Sequence, residues 1–133
     1  MKILVLGVTG MLGNAMFRVL SESSIYEVYG TSRRALDLQH FADYSAKKII
    51  TGVEVQNSDS LERVFATVKP EVVINCIGLV KQIADIEDPL CAIPINSLLP
   101  HRLAALCQGT GARLVHMSSD CVFSGKEGGY QET

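Results

Sequence analysis

Three short stretches of this sequence hold residues that could do chemistry together. Gly7, Gly10 and Gly13 stand three apart directly after the apolar run Ile3–Leu6. Glycines there let the chain turn tightly, let backbone approach a phosphate without a Cβ between, and let a helix pack close to a strand. Thr9 adds a hydroxyl donor, and the whole loop through Met11 and Leu12 to Gly13 is the candidate pyrophosphate cradle. The second stretch, Gly30-Thr31-Ser32-Arg33-Arg34, contains no acid, and none follows until Asp37. NAD sites place a carboxylate at that point for the ribose 2′-hydroxyl, whereas an arginine accommodates a 2′-phosphate. Ser32, Arg33 and Arg34 therefore favour NADP(H) over NAD(H), with a solvated basic loop as the plainer alternative. The third is Ser118-Ser119-Asp120, after the apolar run Leu114–Met117. A hydroxyl at the carboxyl end of a buried strand can polarise a carbonyl or alkoxide oxygen. Local hydrogen bonds to the backbone are the ordinary fate of such a triplet.

Two weaker signals lie between these. Glu54-Val55 closes a third apolar run, where a carboxylate can accept from an adenine amino group or simply face water. Asn75-Cys76-Ile77-Gly78 closes a fourth, where glycine lets backbone pass close to a ribose, although Asn and Gly also form plain turns. Tyr44 and Lys48 spell Y-x-x-x-K, but ahead of the third strand and far ahead of Ser119. Geometry precedes motif, so Tyr44 is expected to be a packing or surface residue.

The elements that must position these residues alternate regularly. Strands are expected at Ile3–Leu6, Tyr26–Thr31, Ile49–Val55, Val72–Ile77 and Ala112–Met117. Helices are expected at Met11–Ser21, with apolar residues at 11, 12, 15, 16, 19 and 20, and at Ser58–Val68, with Ser58 as N-cap and Pro70 as terminator. A short helix fits Leu36–Tyr44. Pro89–Gln108 reads as a long helix that Pro94 and Pro100 should break or delay. Strand–helix alternation with short connections implies a doubly wound parallel α/β sheet of Rossmann type, strand order 3-2-1-4-5, ending after the fifth strand. In such a sheet a ligand lies at the carboxyl ends of the strands, where every stretch above falls.

Composition narrows the class. The 133 residues make one domain, 47% apolar and 20% charged, with a formal net charge of −2. That balance lacks the basic footprint of a nucleic-acid binder. Mean hydropathy of +0.23 suits strands covered on both faces. Ile3–Leu6 is too short for a signal-peptide core, and no uninterrupted apolar run approaches a bilayer span, so no membrane partner and a cytoplasmic location are expected. Cys76, Cys91, Cys107 and Cys121 form no C-x-x-C and are expected to be reduced thiols. The histidines have no metal-ligand spacing, no metal site is expected, and His116 reads as a satisfied core residue.

Taken together these pieces resemble the extended short-chain dehydrogenase/reductase family, and within it the dTDP-4-dehydrorhamnose reductase group. The resemblance spans the chain and is most specific at Gly7–Gly13 and at Gly111–Gly125. It implies that Ser119 holds the position of the catalytic Ser/Thr and that Asn96 is the helix asparagine supporting the active site. It further implies that Glu54-Val55 stands for an Asp-Val adenine contact, and that Tyr130-Gln131-Glu132 is a Tyr-x-Glu segment beside the substrate, with Ser118. Cys121 and Ser124 depart from the group's usual Tyr and Asp. The group's proton donor, a Tyr four residues before a Lys on the helix after the fifth strand, has no counterpart here. The resemblance implies NADPH-dependent reduction of a keto-sugar nucleotide and allows a homodimer. This chain is expected to be the cofactor-binding part, with the catalytic helix and substrate-binding part absent, and inactive alone. Two alternatives stay open: a non-catalytic NADP-binding regulatory subunit, and an NAD-dependent sugar-nucleotide epimerase or dehydratase.

Overall fold

Leu4, Val5 and Leu6 are wholly buried although consecutive side chains in a strand point to opposite faces. Both faces of the sheet must therefore be covered, and they are. In the computed structural model, which describes residues 1–35, 41, 46–79, 88–118, 124–126 and 128–131, five parallel strands stand in the order β3-β2-β1-β4-β5. They are β1 (Lys2–Leu6), β2 (Glu27–Thr31), β3 (Ile49–Ile50), β4 (Val72–Asn75) and β5 (Arg113–His116). Central β1 pairs Ile3 with Val28 on one side and with Val72 on the other. The expected order holds.

Helix α1 (Met11–Ser21) covers one face, setting Phe17 on Ile3, Val5, Val28 and Ile74. Helices α2 (Ser58–Val68) and α3 (Pro89–Thr110) cover the other. There Leu61, Val64, Phe65 and Val68 from α2, with Ile95, Leu99, Leu103 and Cys107 from α3, pack on Leu4, Leu6 and Val73. Each such fully buried aliphatic or aromatic side chain contributes about 1.5–3 kcal/mol relative to exposure.

α1 and α2 have the expected bounds, but several details differ. β3 stops at Ile50 rather than Val55: Gly52 turns left-handed at φ +73°, and Val53 and Val55 are buried from a loop rather than a strand. The cap of α2 is Asn57, one residue earlier than Ser58. Its side chain accepts from the Ser60 amide at 3.1 Å, and Lys69, held at φ +52° just past the last residue of α2, caps the other end before Pro70. α3 is continuous across its prolines. Asp88 caps it, and the turn over Ile93–Leu98 widens to π pitch. That relieves the clash a pyrrolidine ring makes with the carbonyl four residues back in a regular helix. By length and composition α3 is apolar enough to cross a membrane, which a count of uninterrupted apolar runs missed; here Leu99, Leu103 and Cys107 lie buried in the core. His116 is exposed at the end of β5 rather than buried. The short helix expected at Leu36–Tyr44, and Tyr44 itself, fall outside the described residues except for Phe41, whose ring meets Phe17 edge-on at 5.9 Å.

Candidate functional site

The glycine loop is built around close backbone contact. Gly7 turns at φ +82° straight out of β1, a conformation side-chain-bearing residues rarely adopt. Gly13 brings α1 back onto that turn. A Cβ on Gly13 would stand 2.1 Å from the Gly7 carbonyl oxygen, so only glycine fits. The Gly7 carbonyl accepts from the Gly10 amide at 3.1 Å, while the Gly7 and Val8 amides donate to Thr31 Oγ1 and the Thr31 carbonyl at 3.3 and 3.2 Å. This ties the loop to the end of β2. Gly10 caps α1 without a side chain, and the first turn carries no acid. The amides of Met11, Leu12 and Gly13 precede the first intrahelical bond, Asn14 N–H to Gly10 O at 2.8 Å. Free amides and the positive end of the helix dipole make this a place for an anion.

A cleft of about 550 Å³ opens above the strands' carboxyl ends. Of the residues singled out in the sequence, Gly7, Thr9, Gly10, Ser32, Arg33, Glu54, Val55, Cys76, Ile77 and Gly78 line it. Met11, Leu12, Gly13 and Arg34 do not. The Met11 and Leu12 side chains point to solvent, so these positions can serve the cleft only through backbone, and Gly13 serves by packing. Ser32 is buried with its hydroxyl already engaged. It donates to the Arg34 carbonyl at 2.9 Å and accepts from the Arg34 amide at 3.3 Å. Ser32 thus shapes the turn that presents Arg33 instead of acting as a free donor. Among the described lining residues Glu54 is the sole acid and Arg33 the sole base.

The loop after β4 is fixed from two sides. Asn75, fully buried, accepts from the Ile77 amide through Oδ1 at 3.1 Å and places Nδ2 at 3.0 Å from His116 Nδ1. For Asn75 to donate there, Nδ1 must be bare, so this network assigns the His116 proton to Nε2. Asn96, in the wide turn of α3, clasps the backbone of Leu79: Oδ1 accepts from its amide at 2.8 Å and Nδ2 donates to its carbonyl at 3.1 Å. Burial pushes the Cys76 thiol up. Cys76 and Cys107 are free thiols, while Cys121 lies outside the described residues.

Ser118 is exposed beyond β5, where the Met117 amide donates to the Asn75 carbonyl at 3.1 Å. Tyr130 is partly exposed and its hydroxyl lies 2.9 Å from Ser124 Oγ. Ser119 lies outside the described residues. Among the described residues no cluster of metal-ligating side chains occurs. Thr31, the other hydroxyl of the stretch at the end of β2, lines the cleft too, and sequence reasoning missed Val53, Gln56, Leu79, Leu90, Cys91 and Ile95. Leu90, Cys91 and Ile95 carry no sequence signal distinct from a core helix.

A parallel sheet of this order, with a glycine-cornered cleft at its switch point, defines a Rossmann-type doubly wound α/β domain. The family model described as RmlD substrate binding domain matches residues 1–133, and the chain belongs to that family. It is 28% identical over 134 residues to methionine adenosyltransferase 2 subunit beta of Xenopus laevis, covering 98% of this chain and 36% of that protein. Among solved structures, a dTDP-4-dehydrorhamnose reductase of Clostridium acetobutylicum superposes with a TM-score of 0.71 at 29% identity, over 95% of this chain and 39% of that one. A dTDP-4-dehydrorhamnose reductase of Bacillus anthracis, solved with NADP, shares the fold with a TM-score of 0.68 at 22% identity, over 96% of this chain and 39% of that one. The chain spans about a third of the length of the curated relatives it matches.

Proposed function

We propose that this chain is the cofactor-binding part of an NADPH-dependent reductase acting on a keto-sugar nucleotide, similar to dTDP-4-dehydrorhamnose reductase. The observation that carries the reading is Arg33 in the cleft at the end of β2, with no acid beside it among the described lining residues except Glu54 at the end of the next connection. In this reading the amides of Met11, Leu12 and Gly13, with Gly10 and Thr9, hold the pyrophosphate. The Arg33 guanidinium takes the 2′-phosphate. Glu54 and Val55 meet the adenine, and the backbone of Cys76, Ile77 and Gly78 passes the ribose. When bound, NADPH supplies a hydride. Ser119 holds the substrate oxygen that receives charge, Ser118 and Tyr130 stand on the substrate side, and Asn96 steadies the loop after β4. The proton comes from a donor that the family carries downstream of the fifth strand, so residues 1–133 alone bind cofactor without turnover.

A second reading, a non-catalytic NADP-binding regulatory subunit, is favoured by the likeness to methionine adenosyltransferase 2 subunit beta. Both readings require NADPH binding; a protein carrying this chain and the downstream segment separates them by reducing, or failing to reduce, 4-keto sugar nucleotides. The shared step is tested by fluorescence titration with NADPH and NADH. NADPH is expected to bind more tightly. Arg33→Asp should weaken NADPH about ten- to hundredfold, the scale of a lost charge-assisted contact, and leave NADH nearly unchanged. Equal affinities in the parent chain, or no response to Arg33→Asp, would sink the 2′-phosphate assignment.

A further inference from the structure

The cleft wall that follows β3 has almost no sheet to hold it. β3 pairs only Ile49 and Ile50 with β2, yet Val53, Glu54, Val55 and Gln56 all line the cleft. Four hydrogen bonds fix them instead. The Val53 amide donates to the Ser32 carbonyl at 3.1 Å, and the Asn57 amide donates to the Glu54 carbonyl at 3.0 Å. The Glu54 amide donates to the hydroxyl of Ser60, buried in the first turn of α2, at 3.1 Å. Arg102, from α3, donates from Nη1 to the Gln56 carbonyl at 3.0 Å. The bond to Glu54 lies within the β3–α2 connection, the Ser60 bond reaches only the first turn of the helix that follows, and the Ser32 bond reaches only the neighbouring strand's end. Arg102 reaches across 46 residues of sequence, from the same helix whose first turns line the cleft with Leu90, Cys91 and Ile95. That helix also clasps the loop after β4 through Asn96 and Leu79. One helix therefore ties two of the cleft's loops to itself.

We infer that Arg102 is a positioning residue for recognition of the adenine base. Its bond to the Gln56 carbonyl sets where the adjoining Glu54 and Val55 stand relative to the base. The inference rests on the proposed assignment of Glu54-Val55 to adenine. A guanidinium suits the task because it stays charged and its bond to a carbonyl is charge-assisted. Arg102 itself is not among the lining residues of the cleft.

The test compares NADPH with its deamino analogue, whose base carries an oxo group in place of the amino group. The parent chain should prefer NADPH. Arg102→Met keeps the apolar stem and removes the donors. It should weaken NADPH about fivefold, the scale of one hydrogen bond, and bring the two ligands close to equal affinity. Arg102→Lys, which keeps one charged donor, should restore part of the preference. A purely structural role would weaken both ligands alike and leave the preference intact, and that result overturns the inference. So does a parent chain with no preference, or an Arg102→Met variant that binds and discriminates like the parent. A parent chain that binds neither NADPH nor NADH would instead overturn the functional reading, and this inference with it.

Discussion

Replacing Gly13 by alanine should damage this protein out of proportion to the one methyl group added. The new Cβ would lie 2.1 Å from the Gly7 carbonyl oxygen, 2.7 Å from the Gly7 carbonyl carbon and 3.2 Å from Val8 Cα. All three are backbone atoms, so no side chain can swing aside; the turn out of β1 and the start of α1 must separate. Overpacking costs about 1–3 kcal/mol, and contacts this short with backbone belong near 3. Alanine returns about 1 kcal/mol over glycine inside a helix, leaving a net loss of about 2 kcal/mol. For a chain of this size that lowers the melting temperature by about 8 °C. Gly109, near the end of α3, provides the control. A Cβ there meets nothing within 4 Å and its φ is not left-handed. Gly109→Ala should raise stability by about 0.5–1 kcal/mol, a shift of about 2–4 °C upward. Circular dichroism melts of the two variants beside the parent decide the matter. A Gly13→Ala protein that melts at or above the parent, or two variants that shift together, would refute the reasoning.

Asn57→Ala should cost about 1 kcal/mol and lower the melting temperature by about 4 °C, whereas Ser58→Ala should change little, because Asn57 caps α2; equal losses would show the cap misplaced. Burial pushes the Cys76 and Cys107 thiols up, so the folded chain keeps them protonated where the unfolded chain ionises. Their contribution to stability is whole below the ordinary thiol value of about 8.5 and fades as the pH rises past it. Urea midpoints should fall on the alkaline side, and a Cys76→Ala/Cys107→Ala variant should show a flatter profile; an unchanged slope would count against burial as the cause.

Much of this architecture is legible because local and long-range signals agree. α1 is readable from its apolar stripe and the glycine before it, and α2 from its stripe and Pro70. The edge of the sheet is harder. Val53 and Val55 alternate like strand residues because they are buried two apart, but burial from a loop writes the same pattern as burial from a strand. Pro94 and Pro100 argue for a break because a propensity rule assumes regular pitch; the π turn over Ile93–Leu98 satisfies the rule in another way. At the site, the chain announces two arginines and the fold selects one. Arg33 reaches the cleft while the Arg34 backbone closes the turn on Ser32. Gln56, Leu79 and Cys91 join the cleft by tertiary approach alone, which no spacing encodes.

The cleft draws on five separated parts of the chain: residues 7–10, 31–33, 53–56, 76–79 and 90–95. Four of them stand at or after the ends of β1, β2, β3 and β4 and the fifth opens α3, so no short fragment can assemble it. Any ligand that fills it must then stabilise the entire domain by mass action and not one loop, so protection against amide exchange should spread to the strands of both flanks. An immobilised adenosine 2′,5′-bisphosphate resin would in that case act as a sieve for folding itself, retaining from a library of variants those chains in which the separated parts of the cleft have come together.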